Sequence, residues 1–213
     1  GATAITKLFT NHSAEATVAS SFFAIDTNGK VWAWGYNTQG VLGVGDTTNR
    51  SAPVAAGGAA WSTKSIKKIS LSTTNGGGPM AAAVDTDGQL YTWGYNNLGQ
   101  LGLGNTTTFN SPQVITNLST STVDVIVRGG YDGATFRPWT LALKADGTVW
   151  GAGDNSSGQL GDGTTTFRNT FVQSSSLNGI NVAKIYGSAA DSATGGFSAV
   201  VSTDGNAYMS GYN

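Results

Sequence analysis

The chain has 213 residues, with 11 Lys and Arg against 12 Asp and Glu, a formal net charge of −1, and only 11% charged residues, well under the usual quarter. That balance lacks the basic face of a nucleic-acid binder and the polybasic cluster of a protein that sits on an anionic membrane, while six Trp, seven Tyr and eight Phe argue against a disordered chain. Cysteine is absent, which excludes disulfides, thiol catalysis and Cys-ligated zinc, and no apolar run approaches the roughly 20 residues of a helical membrane span. Gly (31 residues), Ser, Thr and Asn dominate, and Glu15 is the single glutamate. Thr, Val, Tyr and Trp separated by Gly and Asn turns predict an all-β protein. The chain starts at Gly1 rather than Met and carries no secretory signal, so it is expected to be processed or to be a piece of something longer.

The predicted elements recur along the chain. After a stretch peculiar to the first unit (Thr10 to Ser20), the turn Asn28-Gly29 leads into Lys30-Val-Trp-Ala-Trp-Gly35. The second unit offers strands at Ile66–Leu71 and Met80–Val84, a turn at Asp85–Gly88, a strand at Gln89–Trp93, and a last strand at Gln113–Ile115. The third unit repeats the turn at Asp146-Gly147 and the segment Thr148-Val-Trp-Gly-Ala-Gly153, and the fourth has Asp204-Gly205 followed by Asn206-Ala-Tyr-Met-Ser-Gly211. The closing glycines Gly35, Gly94, Gly153 and Gly211 are 59, 59 and 58 residues apart, and Gly29, Gly88, Gly147 and Gly205 repeat the same spacing. Two markers with one period establish a tandem repeat. Gly after Asp or Asn closes a hairpin, and weak alternation within the strands fits sheets buried on both faces. Four short strands per unit, repeated in tandem, make a propeller blade.

A further loop follows the third strand, as Gly94-Tyr-Asn-Asn-Leu-Gly-Gln-Leu-Gly102 and Gly153-Asp-Asn-Ser-Ser-Gly-Gln-Leu-Gly161. With Trp34-Gly35, Trp93-Gly94 and the downstream Pro53 and Pro112 ahead of a strand, the chain resembles the regulator of chromosome condensation (RCC1) repeat. Departures are Val41 in place of Gln, Ala152 and Ser210 in place of Trp, and Thr170 or Phe171 in place of Pro; they read as ordinary drift. The resemblance implies a β-propeller that usually closes with seven blades. Here about 3.6 repeats are visible, in units of about 1–59, 60–118, 119–177 and 178–213, the last stopping before its fourth strand. The chain is expected to be the visible part of a longer ring, as the Gly1 start and the mid-blade stop favour. Alternatively two copies complete a ring, or a strand from another chain fills the unfinished blade by β-augmentation.

No catalytic constellation is apparent. His12 is the single histidine, in the polar stretch Thr10–Ser13, so a His-rich metal site is impossible. A glycosidase pair would need two Asp, or Glu15 with one Asp. Asp85-Thr-Asp-Gly88 lacks the further acids of a calcium loop, and Gly102-Leu-Gly104 leads into no helix that would cradle a phosphate. Five Asn-x-Ser/Thr sequons, at Asn11, Asn49, Asn105, Asn117 and Asn155, matter only in a source that glycosylates. No cofactor and no metal are expected. Trp32, Trp34, Trp93 and Trp150 are read as blade packing, and Tyr36, Tyr95 and Tyr212 as packing between blades.

The loop between first and second strands differs in every unit (10–20, 72–79, 129–138, 187–196) and falls on one face of the disc. Variable loops on a rigid scaffold are where binding concentrates. In the third, Tyr131, Asp132, Phe136, Arg137 and Trp139 bring together residue types that dominate binding hot spots. The expected function is a non-enzymatic binding or structural module, outside a cell or on a virion surface. Such a phage-tail or adhesin-type propeller would recognise a protein or glycan receptor on a cell surface, with self-assembly as a further expectation and with neither nucleic-acid binding nor membrane insertion. A cell-surface filament subunit is the neighbouring alternative. The resemblance implies others, a GTPase exchange factor or a secreted enzyme inhibitor, although Lys64, Lys67 and Lys68 are the single basic cluster.

Overall fold

The computed structural model describes residues 3–11, 20–72, 78–129, 136–188 and 196–212. These residues form strands joined by turns and short 3₁₀ segments, with no α-helix among them. Strands β1 (Ile5–Thr10), β2 (Ser21–Asp26), β3 (Val31–Gly35) and β4 (Arg50–Ala55) make the first antiparallel meander. The second comprises β5 (Ile66–Leu71), β6 (Met80–Asp85), β7 (Leu90–Gly94) and β8 (Phe109–Val114), and the third β9 (Thr122–Arg128), β10 (Trp139–Lys144), β11 (Val149–Gly153) and β12 (Arg168–Gln173). The fourth has three strands, β13 (Val182–Gly187), β14 (Phe197–Ser202) and β15 (Ala207–Gly211). The predicted all-β, four-stranded blade is therefore the observed unit.

The first strands of successive blades touch one another, so they line the axis and the fourth strands lie outermost. β6 and β10 are buried along their whole length, which explains why their sequences, Met-Ala-Ala-Ala-Val-Asp and Trp-Thr-Leu-Ala-Leu-Lys, do not alternate. The 2–3 hairpin is tied by a buried aspartate. Asp85 Oδ1 accepts from the backbone N–H of Asp87 (3.0 Å) and Gln89 (2.8 Å), and Oδ2 from the Tyr91 hydroxyl (3.0 Å). Burial, and then the bond to Asp85, push the Tyr91 hydroxyl pKa well above its usual value. Gly88 (φ +83) takes the left-handed position of the turn.

The hairpin also joins blade to blade. The carbonyls of Gly29, Gly88 and Gly147 accept the N–H of Ile66 (2.9 Å), Thr122 (3.0 Å) and Val182 (3.1 Å), at the start of the next blade's first strand. Between blades lie three apolar clusters. In the first, Trp93 packs with Phe23, Val41, Leu42 and Trp61; in the second, Phe171 packs with Leu101, Leu118 and Ala152; in the third, Trp139 packs with Leu141, Leu160 and Ile185.

Two sequence expectations are corrected here. Pro112 was expected ahead of the last strand, but it is the fourth residue of β8, as Pro53 is of β4. A fourth strand is an edge, where a missing N–H costs nothing, and the register accommodates it: Gly94 faces Phe109 while Thr92 faces Gln113. Ala152 and Phe171 are also more than drift. A Cβ on Gly43 would meet Trp93 Nε1 (3.0 Å) and Pro112 Cδ (3.3 Å), whereas one on the equivalent Gly102 would meet Phe171 (2.3 Å) and Ala152 Cβ (3.4 Å). The large and small residues have exchanged strands, conserving the volume between blades.

Candidate interaction face

In a meander the 1–2 and 3–4 loops leave at one end of the blade and the hairpins at the other, so both loop sets share a face. The repeated third-strand glycine builds the rim of that face. Backbone N–H groups of Tyr36, Tyr95, Asp154 and Tyr212 donate to the carbonyls of Ser20 (3.0 Å), Pro79 (3.0 Å), Pro138 (2.8 Å) and Gly196 (3.3 Å), each just ahead of a second strand. A Cβ on Gly35, Gly94, Gly153 or Gly211 would lie 2.3, 2.6, 2.5 or 2.6 Å from the same carbonyl oxygen. Glycine is thus needed for close approach, and one bond fixes where all four variable loops end.

The 3–4 loop is held from within. Asn96 is fully buried; its Nδ2 donates to the carbonyls of Asn105 and Thr107 (both 3.0 Å), and its Oδ1 accepts from Leu101 N–H (2.9 Å). Asn37 and Asn155 do the same, through Leu42 N–H (2.8 Å) and Leu160 N–H (2.9 Å). Gln100 ties the loop to the Tyr95 carbonyl (2.7 Å) and Gln159 to Asp154 (2.6 Å). Asp162 braces the third loop against Arg168 Nε (2.7 Å). Burial alone would raise its carboxyl, but hydrogen bonds from Thr164 and Arg168 outweigh this and hold it below the ordinary aspartate value. Of the sequons, Asn155 and Asn11 are buried. Asn96→Ala, which orphans three backbone groups, is expected to cost about 2–4 kcal/mol in urea denaturation, whereas Asn97→Ala, at an exposed position, is expected to stay within about 0.5 kcal/mol.

Among the predicted binding residues, Tyr131 and Asp132 lie outside the described residues, as do His12 and Glu15. Phe136 is 5% exposed and packs against Tyr95 of the preceding blade, with ring centroids 6.0 Å apart. Arg137 is partly exposed, its Nη1 3.7 Å from the buried Asp154 Oδ1. Trp139 is the first residue of β10 and fully buried. It fills a slot opened by Gly187 and Gly196, where a Cβ would approach it to 2.1 and 2.8 Å. Phe136 and Trp139 are therefore anchors of the loop's end, and of the described members only Arg137 presents a side chain to solvent. Trp34, half-buried, stacks on Phe22 at 5.6 Å and 10°; among the described residues Phe167 (43%), Tyr186 (48%) and Tyr212 (54%) are the exposed aromatics, so Tyr212 does not pack between blades as expected. Two members of the basic cluster are charge-paired, Lys64 with Asp87 (2.9 Å) and Lys68 with Asp124, and Lys67 donates to the Thr122 carbonyl (3.3 Å).

Models of the regulator of chromosome condensation (RCC1) repeat match residues 28–71, 87–131 and 140–159. The chain belongs to the RCC1 repeat family. The human E3 ubiquitin-protein ligase HERC2 is 30% identical over 166 residues, which is 77% of this chain and 3% of HERC2. The ultraviolet-B receptor UVR8 of Arabidopsis thaliana is 30% identical over 146 residues, 68% of this chain and 30% of the receptor. The RCC2 homolog of Danio rerio is 36% identical over 137 residues, 63% of this chain and 25% of that one. Among solved structures, human WBSCR16 superposes with a TM-score of 0.69 at 18% identity, over 90% of this chain and 44% of that one. Prp20p of Saccharomyces cerevisiae, with binding properties to Gsp1p and histones, gives 0.65 at 18% identity, over 90% and 41%. At such identities the likeness shows the fold alone. This RCC1-repeat segment spans less than a third of the curated relatives named and less than half of the solved chains.

Proposed function

We propose that this segment is a non-enzymatic protein-interaction scaffold whose four 1–2 loops form the recognition surface. One observation carries the reading. The same backbone bond ends all four loops at equivalent points on one face, while their sequences differ throughout. A repeated frame that holds unlike loops in register suits recognition of a macromolecular surface. The sequence supports a role without catalysis, because one His and one Glu leave little with which to build an acid–base pair. The narrower expectation, a virion or cell-surface module, rests on low charge and a Ser/Thr/Asn/Gly-rich surface, and the relatives named above lend it no support. GTPase exchange, which the resemblance to the RCC1 repeat implies, is the second reading.

Two experiments separate these. Replacing residues 130–135 by a Gly-Ser linker of equal length is expected to abolish capture of a cross-linked partner while leaving the circular dichroism unchanged. Retention of the partner by all four loop replacements would overturn the loop assignment. A nucleotide-release assay over a panel of small GTPases is expected to show no acceleration; catalysed release would make exchange the function.

A further inference from the structure

The corner where a blade's 2–3 hairpin meets the linker to the next blade is built three times, and its filling differs each time. The same two bonds bound every linker. The N–H of Ala56, Ile115 and Ser174 donates to the carbonyl of Val31 (3.0 Å), Leu90 (3.0 Å) and Val149 (2.9 Å), and the N–H of Ile66, Thr122 and Val182 to that of Gly29, Gly88 and Gly147. In blade two the corner is closed by Gln89, the residue after Gly88. Its Nε2 donates to the carbonyls of Leu90 (3.1 Å) and Ile115 (2.8 Å). In blade three the equivalent Thr148 turns its hydroxyl to Asp146 (2.7 Å) and borders a cleft of ≈ 130 Å³.

In blade one the corner is a cleft of ≈ 460 Å³. Two sequence features open it. Lys30 stands where blade two has Gln89, and its ammonium lies over the Trp32 ring instead, 4.6 Å from the centroid. The linker runs through nine residues, 57–65, against six, 116–121, and seven, 175–181, and it carries the 3₁₀ turn Gly58–Trp61. That turn sets Trp61 in the wall of the cleft, where the other linkers place Leu118 and Leu177. The indole is fixed. It meets Tyr91 edge-on at 5.9 Å, and Gly57 lies so close that a Cβ there would collide with Cδ2 and Cε3 of the ring. Its Nε1 is buried with no acceptor among the described residues, a state that native structures seldom leave unanswered. The Ala56 carbonyl, whose counterpart on Ile115 receives the Gln89 amide, accepts from no described group. No acid lines the cleft, and Lys64 at its edge is held by Asp87 (2.9 Å) and Asp85 (3.9 Å).

We propose that this cleft binds a small ligand through a primary carboxamide, the group that Gln89 supplies from within in blade two. A carboxamide donates through its NH₂ and accepts through its oxygen, so one planar group answers both the Ala56 carbonyl and the Trp61 N–H. A carboxylate only accepts and an ammonium only donates, and each would leave one of the two unmet. The volume suits a small molecule that carries such a group. The walls belong to the first and second blades, each with all four strands. They lie at the hairpin end, away from the loop face, and the inference does not depend on the function proposed for that face.

The test titrates acetyl-glutamine methylamide into the 213-residue chain, isotopically labelled at its indole nitrogens, and follows the Trp61 indole signal by NMR, with Trp61→Phe to identify it. A saturable shift with a Kd of about 1 mM is expected, the scale for so small a ligand. The glutamate analogue, which lacks the donor, and the methionine analogue, which lacks both groups, should bind at least about fivefold more weakly. Free L-glutamine, titrated alongside, distinguishes a metabolite from a peptide side chain as the source of the group, and saturation by either supports the site. In the protein, Lys30→Gln should place an amide where blade two has its own and weaken binding by about tenfold or more, whereas Lys30→Met, which removes the charge alone, should stay within about threefold. The ligand series leaves the protein unaltered and decides the matter even where a variant misfolds. No saturable shift at Trp61, equal binding by the three analogues, or undiminished binding to Lys30→Gln would overturn the proposal.

Discussion

Gly94→Val is expected to unfold the second blade, with a loss of about 3–6 kcal/mol in urea denaturation, a large share of the ~5–15 kcal/mol that holds a domain together. Two costs combine. Gly94 sits at φ +95, a conformation that a β-branched residue adopts only under strain. Its Cβ would also lie 2.6 Å from the Pro79 oxygen and 2.8 Å from Met80 Cα. Both are backbone atoms at the start of a buried strand, so neither can yield as a flexible side chain would. Relief requires moving β7 from β6, which breaks the Tyr95 N–H bond to Pro79 (3.0 Å) and releases the end of the 1–2 loop. Gly45→Val separates the two costs: Gly45 has φ +92, but a Cβ there meets nothing within 4 Å. Its loss should stay near the strain alone, about 1–3 kcal/mol. Equal losses in both variants would mean that conformation, not close approach, maintains the repeated glycine.

Which parts of this fold are legible in sequence follows from the range of the interactions. The glycine periods are local, since each reports its own turn, and they located the blades. β5 and β6 were read as strands at Ile66–Leu71 and Met80–Val84, and they begin where expected. β8 begins earlier than its reading because Pro112 was taken as a boundary, whereas an outer edge tolerates it. Trp139 was grouped with a binding loop by its aromatic company. What buries it is Gly187 and Gly196, about 50 residues away and visible only once blades are stacked. The Ala152–Phe171 exchange was hidden for the same reason: two departures from the repeat, 19 residues apart, become one packing solution only in space. Within the candidate face, the frame was legible, but the exposure of each loop side chain was not, because it depends on the neighbouring blade.

Trp93→Ala tests that packing solution directly. Trp93 is fully buried and meets Trp61 at 5.2 Å and Phe23 at 6.2 Å, both edge-on, while its Nε1 donates to the Val41 carbonyl of the preceding blade (2.6 Å). Truncation leaves a cavity between two blades and an unpaired buried carbonyl, for an expected cost of about 4–5 kcal/mol. Each blade is stabilised chiefly by its neighbours, so the first and second blades should loosen together. The third blade suggests the remedy. Adding Pro112→Phe to Trp93→Ala recreates the Ala152–Phe171 arrangement over Gly43, and the ring should refill part of the cavity. Pro112→Phe alone is expected to destabilise by about 1–3 kcal/mol through overpacking against Trp93. The double variant should therefore be more stable than the sum of the singles predicts, by a coupling of about 1–3 kcal/mol. Additive losses would show that the two blade interfaces reached their packing independently.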